Sequence, residues 1–410
     1  MRESESRRIV GASDGGKKMK RISLLLGATV MMGAAPPKAS PPVANYWMDV
    51  ATAGGMGAGM MGGGSRPNMA QIMGMMNGGG GGAQHLLNLY LASRDKAASP
   101  QASHLIPPGM QMGASLPLIA PPASKPVQET TGMPEHFQRP KGRMIIYWGC
   151  GEHVGAGQPA IVDFSKLAAG QMPPGFSAMM SAVHAAQPPR PGQSAGFGEW
   201  PNDRDSRPVP AAASLIGPHR VEGNYAPPIA FSLGQGQDFM PALGLREAGA
   251  LPSGANRLTW TPAAQATGYG LSMFGSSGGG DVVIWSSANK PSAFPNMDYL
   301  SPAQVSPLVA SGAVLAPTTN QCTIPAEVVK ASPAGMVMMI GYGPEAWFQD
   351  KPRAPTWTVR ARYKTSASMM LGMGNMSGDS GADQPQAQQQ EPKKKKRGFG
   401  LGDILQAVPH

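Results

Sequence analysis

The residues best suited to chemistry in this chain are two cysteines, one compact polar cluster and a set of methionines. Cys150 and Cys322 lie more than 170 residues apart. If they pair, they staple two distant regions, a constraint worth about 4–5 kcal/mol in the chain-entropy account. The alternative is two buried thiols, and only geometry separates the two. Cys150 also belongs to Trp148-Gly149-Cys150-Gly151-Glu152-His153, where Cys150 with His153 forms half a metal site or a thiol beside a base. No second C-x-x-C, H-x-x-H or H-E-x-x-H follows. The cluster therefore reads as a strand running into a glycine turn with polar residues exposed.

The 29 methionines are the unusual signal. Met56, Met60, Met61, Met69, Met73 and Met76 sit in a Gly/Met segment, and others gather at Met336, Met338 and Met339 and at Met369, Met370, Met373 and Met376. Thioethers are soft ligands suited to Cu(I), so the six in the Gly/Met segment form a candidate copper site. The competing reading is a compliant apolar surface. The Met336 group falls in an expected strand and is expected in the core. The glycine run Gly78–Gly82 lacks the Lys-Ser/Thr that a phosphate loop needs. No G-x-S-x-G stands in a strand–turn–helix setting. No catalytic residue and no cofactor other than copper is assigned.

The elements that must position these residues are short and β-like. The 55 Gly and 42 Pro make up nearly a quarter of the chain, and only 14% is charged. Residues 40–139 read as a low-complexity Gly/Met/Pro-rich arm. Within it His85–Leu91 is either a strand or one or two helical turns, and Ser115–Ile119, which contains Pro117, suits an edge strand. Arg143–Cys150 is a continuous apolar run that predicts a buried strand, with Pro159–Phe164 as its partner. Ile229–Leu233 adds another. These define a first β domain over 140–250. A second, over 255–370, is predicted from Arg257–Pro262, Gly268–Phe274, Asp281–Ser286, Met336–Tyr342 and Trp357–Tyr363. Short alternating strands with turn residues between them argue an antiparallel sandwich.

Both ends read as address signals. Met19-Lys20-Arg21, the apolar run Ile22–Met32 and Gly33-Ala34-Ala35 have the pattern of a secretory signal peptide, with Met19 as the expected start and 1–39 as the targeting segment. Ser6-Arg7-Arg8-Ile9-Val10 resembles a twin-arginine signal, but it stands far from the apolar run, so the ordinary export route is preferred. The net charge of +10 is concentrated at the ends. Half of it lies in residues 1–39, and Lys393, Lys394, Lys395, Lys396 and Arg397 supply as much again. Without a basic face interleaved with aromatics, nucleic acid is not an expected partner. In the tail, 371–410, the basic run precedes Leu401, Ile404, Leu405 and Val408 at helical spacing. That combination suits peripheral contact with an anionic membrane. The rival reading is a solvated end.

The pattern Leu258-x-Trp260-x-Pro262, followed by Ala266 and Gly268-Tyr269-x-Leu271, resembles strands of a fibronectin type III-like β-sandwich. The resemblance covers residues 258–274 and implies that Trp260 is a core residue with the Tyr269 strand beside it. The chain as a whole resembles uncharacterised exported proteins of Gram-negative bacteria, a likeness that implies no activity. The expected fold is mainly β, with two small antiparallel sandwich-like domains and long irregular arms. The expected function is that of an exported, non-enzymatic envelope or secreted protein with a binding or structural role toward a protein or glycan partner. The alternatives are periplasmic copper binding and an enzyme with an interdomain cleft near Glu152 and His153.

Overall fold

In Asn45–Ala53 every second side chain is apolar or small enough for a core, and that alternation makes the stretch a strand with two distinct faces. Tyr46, Met48, Val50 and Thr52 are fully buried on one side. Asn45, Trp47 and Asp49 point to the other. A computed structural model shows how the rest of the chain is arranged around this strand. It describes residues 41–55, 83–122 and 142–372, apart from a few positions between 169 and 182 and residues 292–297.

The protein is mainly β. The strands are β1 (Ala44–Gly55), β2 (Gln84–Ser93), β3 (Ala102–Leu105), β4 (Ser115–Leu118), β5 (Arg143–Trp148), β6 (Ala160–Asp163), β7 (Gly196–Trp200) and β8 (Gly217–Gly223). They continue with β9 (Ile229–Leu233), β10 (Arg246–Ala250), β11 (Asn256–Thr259), β12 (Gly268–Ser276), β13 (Val282–Ser286), β14 (Gln321–Ile324), β15 (Gly335–Gln349) and β16 (Trp357–Leu371). Short helices α1 (Phe164–Ala168), α2 (Pro302–Ala310) and α3 (Ala326–Ala331) lie among them. A capping box of Ser301 and Gln304 starts α2, satisfying two of the backbone N–H groups that a helix start leaves unpaired. No helix of the described residues is long and apolar enough to cross a membrane.

Nine strands form one mixed sheet in the order β6-β5-β13-β12-β15-β16-β1-β2-β7. Its neighbours are antiparallel except at two seams, where β5 runs parallel to β13 and β1 parallel to β16. Two smaller antiparallel sheets, β10-β11-β14 and β4-β3-β8-β9, share a single core with it. Leu116, Val221, Ile229 and Phe231 from the four-stranded sheet join Tyr46, Met48 and Leu89 in that core, as do Leu258 and Ile324 from the three-stranded one. Each such fully buried side chain contributes on the order of 1.5–3 kcal/mol.

This arrangement changes the expected organisation in two ways. The 40–139 segment is not an irregular arm throughout: it supplies β1 to β4, and β1 lies within the large sheet. Composition hid this, because glycine runs flank a segment that itself alternates. Leu87, Leu89 and Leu91 turn inward from β2, so His85–Leu91 is a strand and not helical turns. The expected break between 250 and 255 is not a break in the large sheet either. β5 pairs with β13 and β6 with β5, and the described residues between 41 and 372 belong to one compact unit. The parallel seams explain it: they join segments distant in sequence, which no local pattern announces.

One polar chain runs through the core between the large and four-stranded sheets. The Tyr46 hydroxyl bonds His104 Nδ1 at 2.8 Å, His104 Nε2 bonds His219 Nδ1 at 2.9 Å, and His219 Nε2 reaches the Leu215 carbonyl at 2.6 Å. All three side chains are buried. The carbonyl can only accept, so His219 donates from Nε2. His104 then donates from Nε2, and Tyr46 donates to His104. Both histidines are neutral in this chain, and burial lowers the pKa of each.

Candidate functional site

The register of five strands writes a single row across the outer face of the large sheet. Trp347 on β15 stands opposite Arg360 on β16, Arg360 opposite Trp47 on β1, Trp47 opposite Tyr90 on β2, and Tyr90 opposite Glu199 on β7. The neighbouring row is Glu345, Arg362, Asp49 and Asn88. Strand alternation puts all of these on the face opposite the main core, because their sequence neighbours fill that core.

The cations interleave with the aromatic rings. The Arg360 guanidinium lies 4.5 Å from the Trp47 ring centre and 4.8 Å from that of Trp347. Arg362 covers Trp47 at 4.8 Å and Tyr299 at 4.7 Å, and the Lys364 ammonium sits 4.3 Å from Tyr299. Such contacts are worth about 0.5–2 kcal/mol each, more when desolvated. Carboxylates lock the stack. Arg360 pairs with Glu345, and Arg362 bonds both oxygens of Asp49 and also the Ala186 carbonyl. Burial opposes both charges of the inner pair. It raises the Asp49 pKa, and although it works against Arg362 too, the bonds from Asp49 outweigh it there. Burial also lowers Lys364.

At the far end of the row a cleft of about 770 Å³ opens over β2 and β7. Asn88, Tyr90 and Glu199 form its floor, and Ile119, Asp203 and Arg204 stand on its rim. Two devices hold the rim. Ile119 and Glu199 exchange backbone hydrogen bonds at 3.1 Å, and the Asn202 amide bonds the carbonyls of Pro117 and Glu199 at 2.8 Å. Burial, then the nearby Asp203 carboxylate, raises the Glu199 pKa. Burial, then the charges of Asp49 and Glu199, pushes Tyr90 up to about 12. The cleft thus offers a phenol that keeps its proton, an amide and a carboxyl beside an aromatic ring. At the other end Trp347 is 59% exposed, with one face on Arg360.

The residues singled out from sequence lie elsewhere. Cys150 and Cys322 form a disulfide with Cα atoms 5.2 Å apart, joining the end of β5 to β14. Cys150 is therefore no thiolate, and it supplies neither a metal ligand nor a nucleophile beside His153. His153 instead pairs with Glu327 of α3 at 3.0 Å on the surface, and Glu152 is exposed. Among the described residues no group of three or more His, Cys, Asp or Glu is placed to hold a metal ion. Met56, Met60, Met61, Met69, Met73 and Met76, and Lys393, Lys394, Lys395, Lys396 and Arg397, lie outside the described residues. Trp260 is buried with its ring 5.7 Å from that of Tyr269, and β12, which carries Tyr269, pairs with β13 and β15.

None of the row was singled out in advance. One signal was present: in Trp357–Lys364 the residues Arg360, Arg362 and Lys364 alternate with Val359, Ala361 and Tyr363. Three cations at a spacing of two mark a strand whose second face is polar and in need of partners. Some of those partners, Glu345 and Trp347, come from the neighbouring strand β15, but Trp47 and Asp49 come from β1, more than 300 residues away. Comparison with known proteins adds no relative: no family model, no curated protein and no solved structure matches the chain.

Proposed function

We propose that this is an exported, non-enzymatic binding protein of the cell envelope whose ligand surface is the cleft at the Tyr90–Glu199 end of the polar row, and that the ligand is a saccharide. The observation that carries the reading is the cleft floor. A sugar ring presents an apolar C–H face and vicinal hydroxyls, and it is met by an aromatic ring beside an amide and a carboxyl. A concave site with a few fixed polar groups is the usual form of a small-ligand site. The cation–aromatic stack stands beside the cleft in register, with Trp47 opposite Tyr90 and Asp49 opposite Asn88, which supports a preordered floor and a lower ordering cost of binding. Export is supported by the signal-like segment 19–35 and by the disulfide, which persists in oxidising compartments. The buried Trp260–Tyr269 pair supports the local resemblance of residues 258–274 to strands of a fibronectin type III-like sandwich.

The test is calorimetric titration of soluble oligosaccharides derived from peptidoglycan and lipopolysaccharide into the protein, its Tyr90→Ala variant and its Glu199→Gln variant. Saturable binding by the native chain, weakened by both substitutions, is expected. No binding, or binding indifferent to both, overturns the proposal. Turnover of a bound saccharide that stops in Glu199→Gln would refute the non-enzymatic part.

A further inference from the structure

The expectation that Met336, Met338 and Met339 all belong to the core holds for only one of them. Met339 is fully buried in the main core. Met336 and Met338 leave β15 on the opposite, outer face and are half-buried. Directly across from Met336 on β16 stands Met370, also half-buried. Cβ atoms of directly opposed residues are about 4.5–5.5 Å apart, and alternate residues of one strand are about 6.5–7 Å apart. Three flexible thioethers therefore lie within reach of one centre.

We propose that Met336, Met338 and Met370 form a binding site for a soft monovalent cation, Cu(I). The donor chemistry selects the ion. Thioether sulfur is neutral and soft and suits Cu(I), while Mg, Ca and Mn prefer carboxylate or carbonyl oxygen and Zn prefers imidazole or thiolate. In register the three methionines are flanked by Phe274 and Ser272 on β12 and by Ser368 on β16, so among the described residues their cross-strand neighbours bring no carboxylate or imidazole to recruit a harder ion. The core methionines Met48, Met240 and Met273 are almost wholly enclosed, whereas these three keep partial access to solvent.

A second observation comes from the same strip. Ser272 and Ser368 stand on either side of Met338 in one cross-strand row. They are 0% and 7% exposed, and neither hydroxyl finds a hydrogen-bond partner among the described residues. Buried hydroxyls are nearly always bonded, and those that are not point to a water or ligand that completes them. Here they flank the central thioether, where a hydrated cation would bring its remaining water.

The experiment uses Ag(I), a redox-inert stand-in for Cu(I), with the full chain. Methionines are oxidised with dilute hydrogen peroxide with and without one equivalent of Ag(I), and each sulfoxide is quantified by peptide mass spectrometry. Cu(I) affinity is measured in parallel by competition with a chromogenic chelator for the native chain, for Met339→Leu and for Met336→Leu/Met338→Leu/Met370→Leu. The site predicts joint protection of Met336, Met338 and Met370, and loss of the chelator-competing equivalent in the triple variant but not in Met339→Leu. Equal oxidation of the three with and without Ag(I) overturns it, as does protection confined to Met56–Met76 or retention of the equivalent by the triple variant. If the triple variant does not fold, the oxidation pattern of the native chain decides.

Discussion

Acid should unlock the core at His104 and His219. In the folded protein each imidazole is neutral because its two nitrogens are committed, one as donor and one as acceptor, in the chain from Tyr46 to the Leu215 carbonyl. A proton added to His219 Nδ1 would confront the N–H of His104. A proton added to His104 Nδ1 would displace the Tyr46 hydroxyl. Burial adds to this cost and depresses both pKa values below the ordinary 6.5. A base whose folded pKa is depressed binds more protons when unfolded, so stability is full above about pH 6.5 and falls as the pH drops below it. The limiting slope is about 1.4 kcal/mol per pH unit for each histidine. Between pH 7.5 and pH 5 this slope caps the loss at about 2 kcal/mol for each histidine, the cap being reached where the folded imidazole stays neutral throughout, against the ~5–15 kcal/mol that holds a domain together. The assay is urea unfolding of the oxidised protein at half-unit steps from pH 7.5 to pH 5, for the native chain and for His219→Phe. Phenylalanine keeps the stacking on Phe231, whose ring lies 5.1 Å from that of His219. The variant should be weaker at pH 7.5 yet lose stability less steeply, because His219 no longer titrates while His104 and His85, whose pKa burial also lowers, still do. Asp49 and Glu199, whose pKa values are raised, act in the opposite sense, but equally in both proteins, so they cancel in the difference. A flat profile in the native chain, or the same slope in both proteins, would refute the reasoning.

Reducing the disulfide, or replacing both cysteines by serine, should destabilise the protein by up to about 5 kcal/mol, because the bond closes a separation of 172 residues; unfolding with and without dithiothreitol measures it, and an unchanged midpoint would contradict it. Arg362→Met should cost about 3–5 kcal/mol by leaving the Asp49 carboxylate buried and unpaired, and the double variant with Asp49→Asn should recover most of that loss; a double-mutant cycle by chemical denaturation gives the coupling. A chain stopped after Glu391 lacks the run Lys393–Arg397 and should partition less with membranes at low salt, with the difference vanishing at high salt. Cell fractionation reads this, and identical partitioning of the two chains would leave the tail without that role.

Much of the strand content is legible in sequence. Arg143–Trp148, Ile229–Leu233 and Gly268–Ser276 announce themselves by apolar runs or alternation between turn residues, and Pro117 correctly marks an edge strand, since β4 ends its sheet. The glycine and methionine segments around β1 and β2 misled by composition, although Tyr46, Met48 and Val50 carry the alternation plainly. Of the candidate site only the alternating cations Arg360, Arg362 and Lys364 were legible, because its members come from five strands and, apart from Trp347 and Arg360 on the paired strands β15 and β16, neighbours in the row are far apart in sequence.

Sequence alone sorted the two faces of β16, since a period of two separates Val359, Ala361 and Tyr363 from Arg360, Arg362 and Lys364 whatever the strand pairs with. It left the pairing of Cys150 and Cys322 open, and the tertiary structure decided it. What each polar face meets was decided only by the tertiary structure. The parallel seam between β1 and β16 sets Asp49 beside Arg362 and Trp47 beside Arg360, and sliding that seam by one residue would turn Tyr46 and Met48 out of the core. Register is therefore held by the buried face of the sheet, and the site on the other face follows from it.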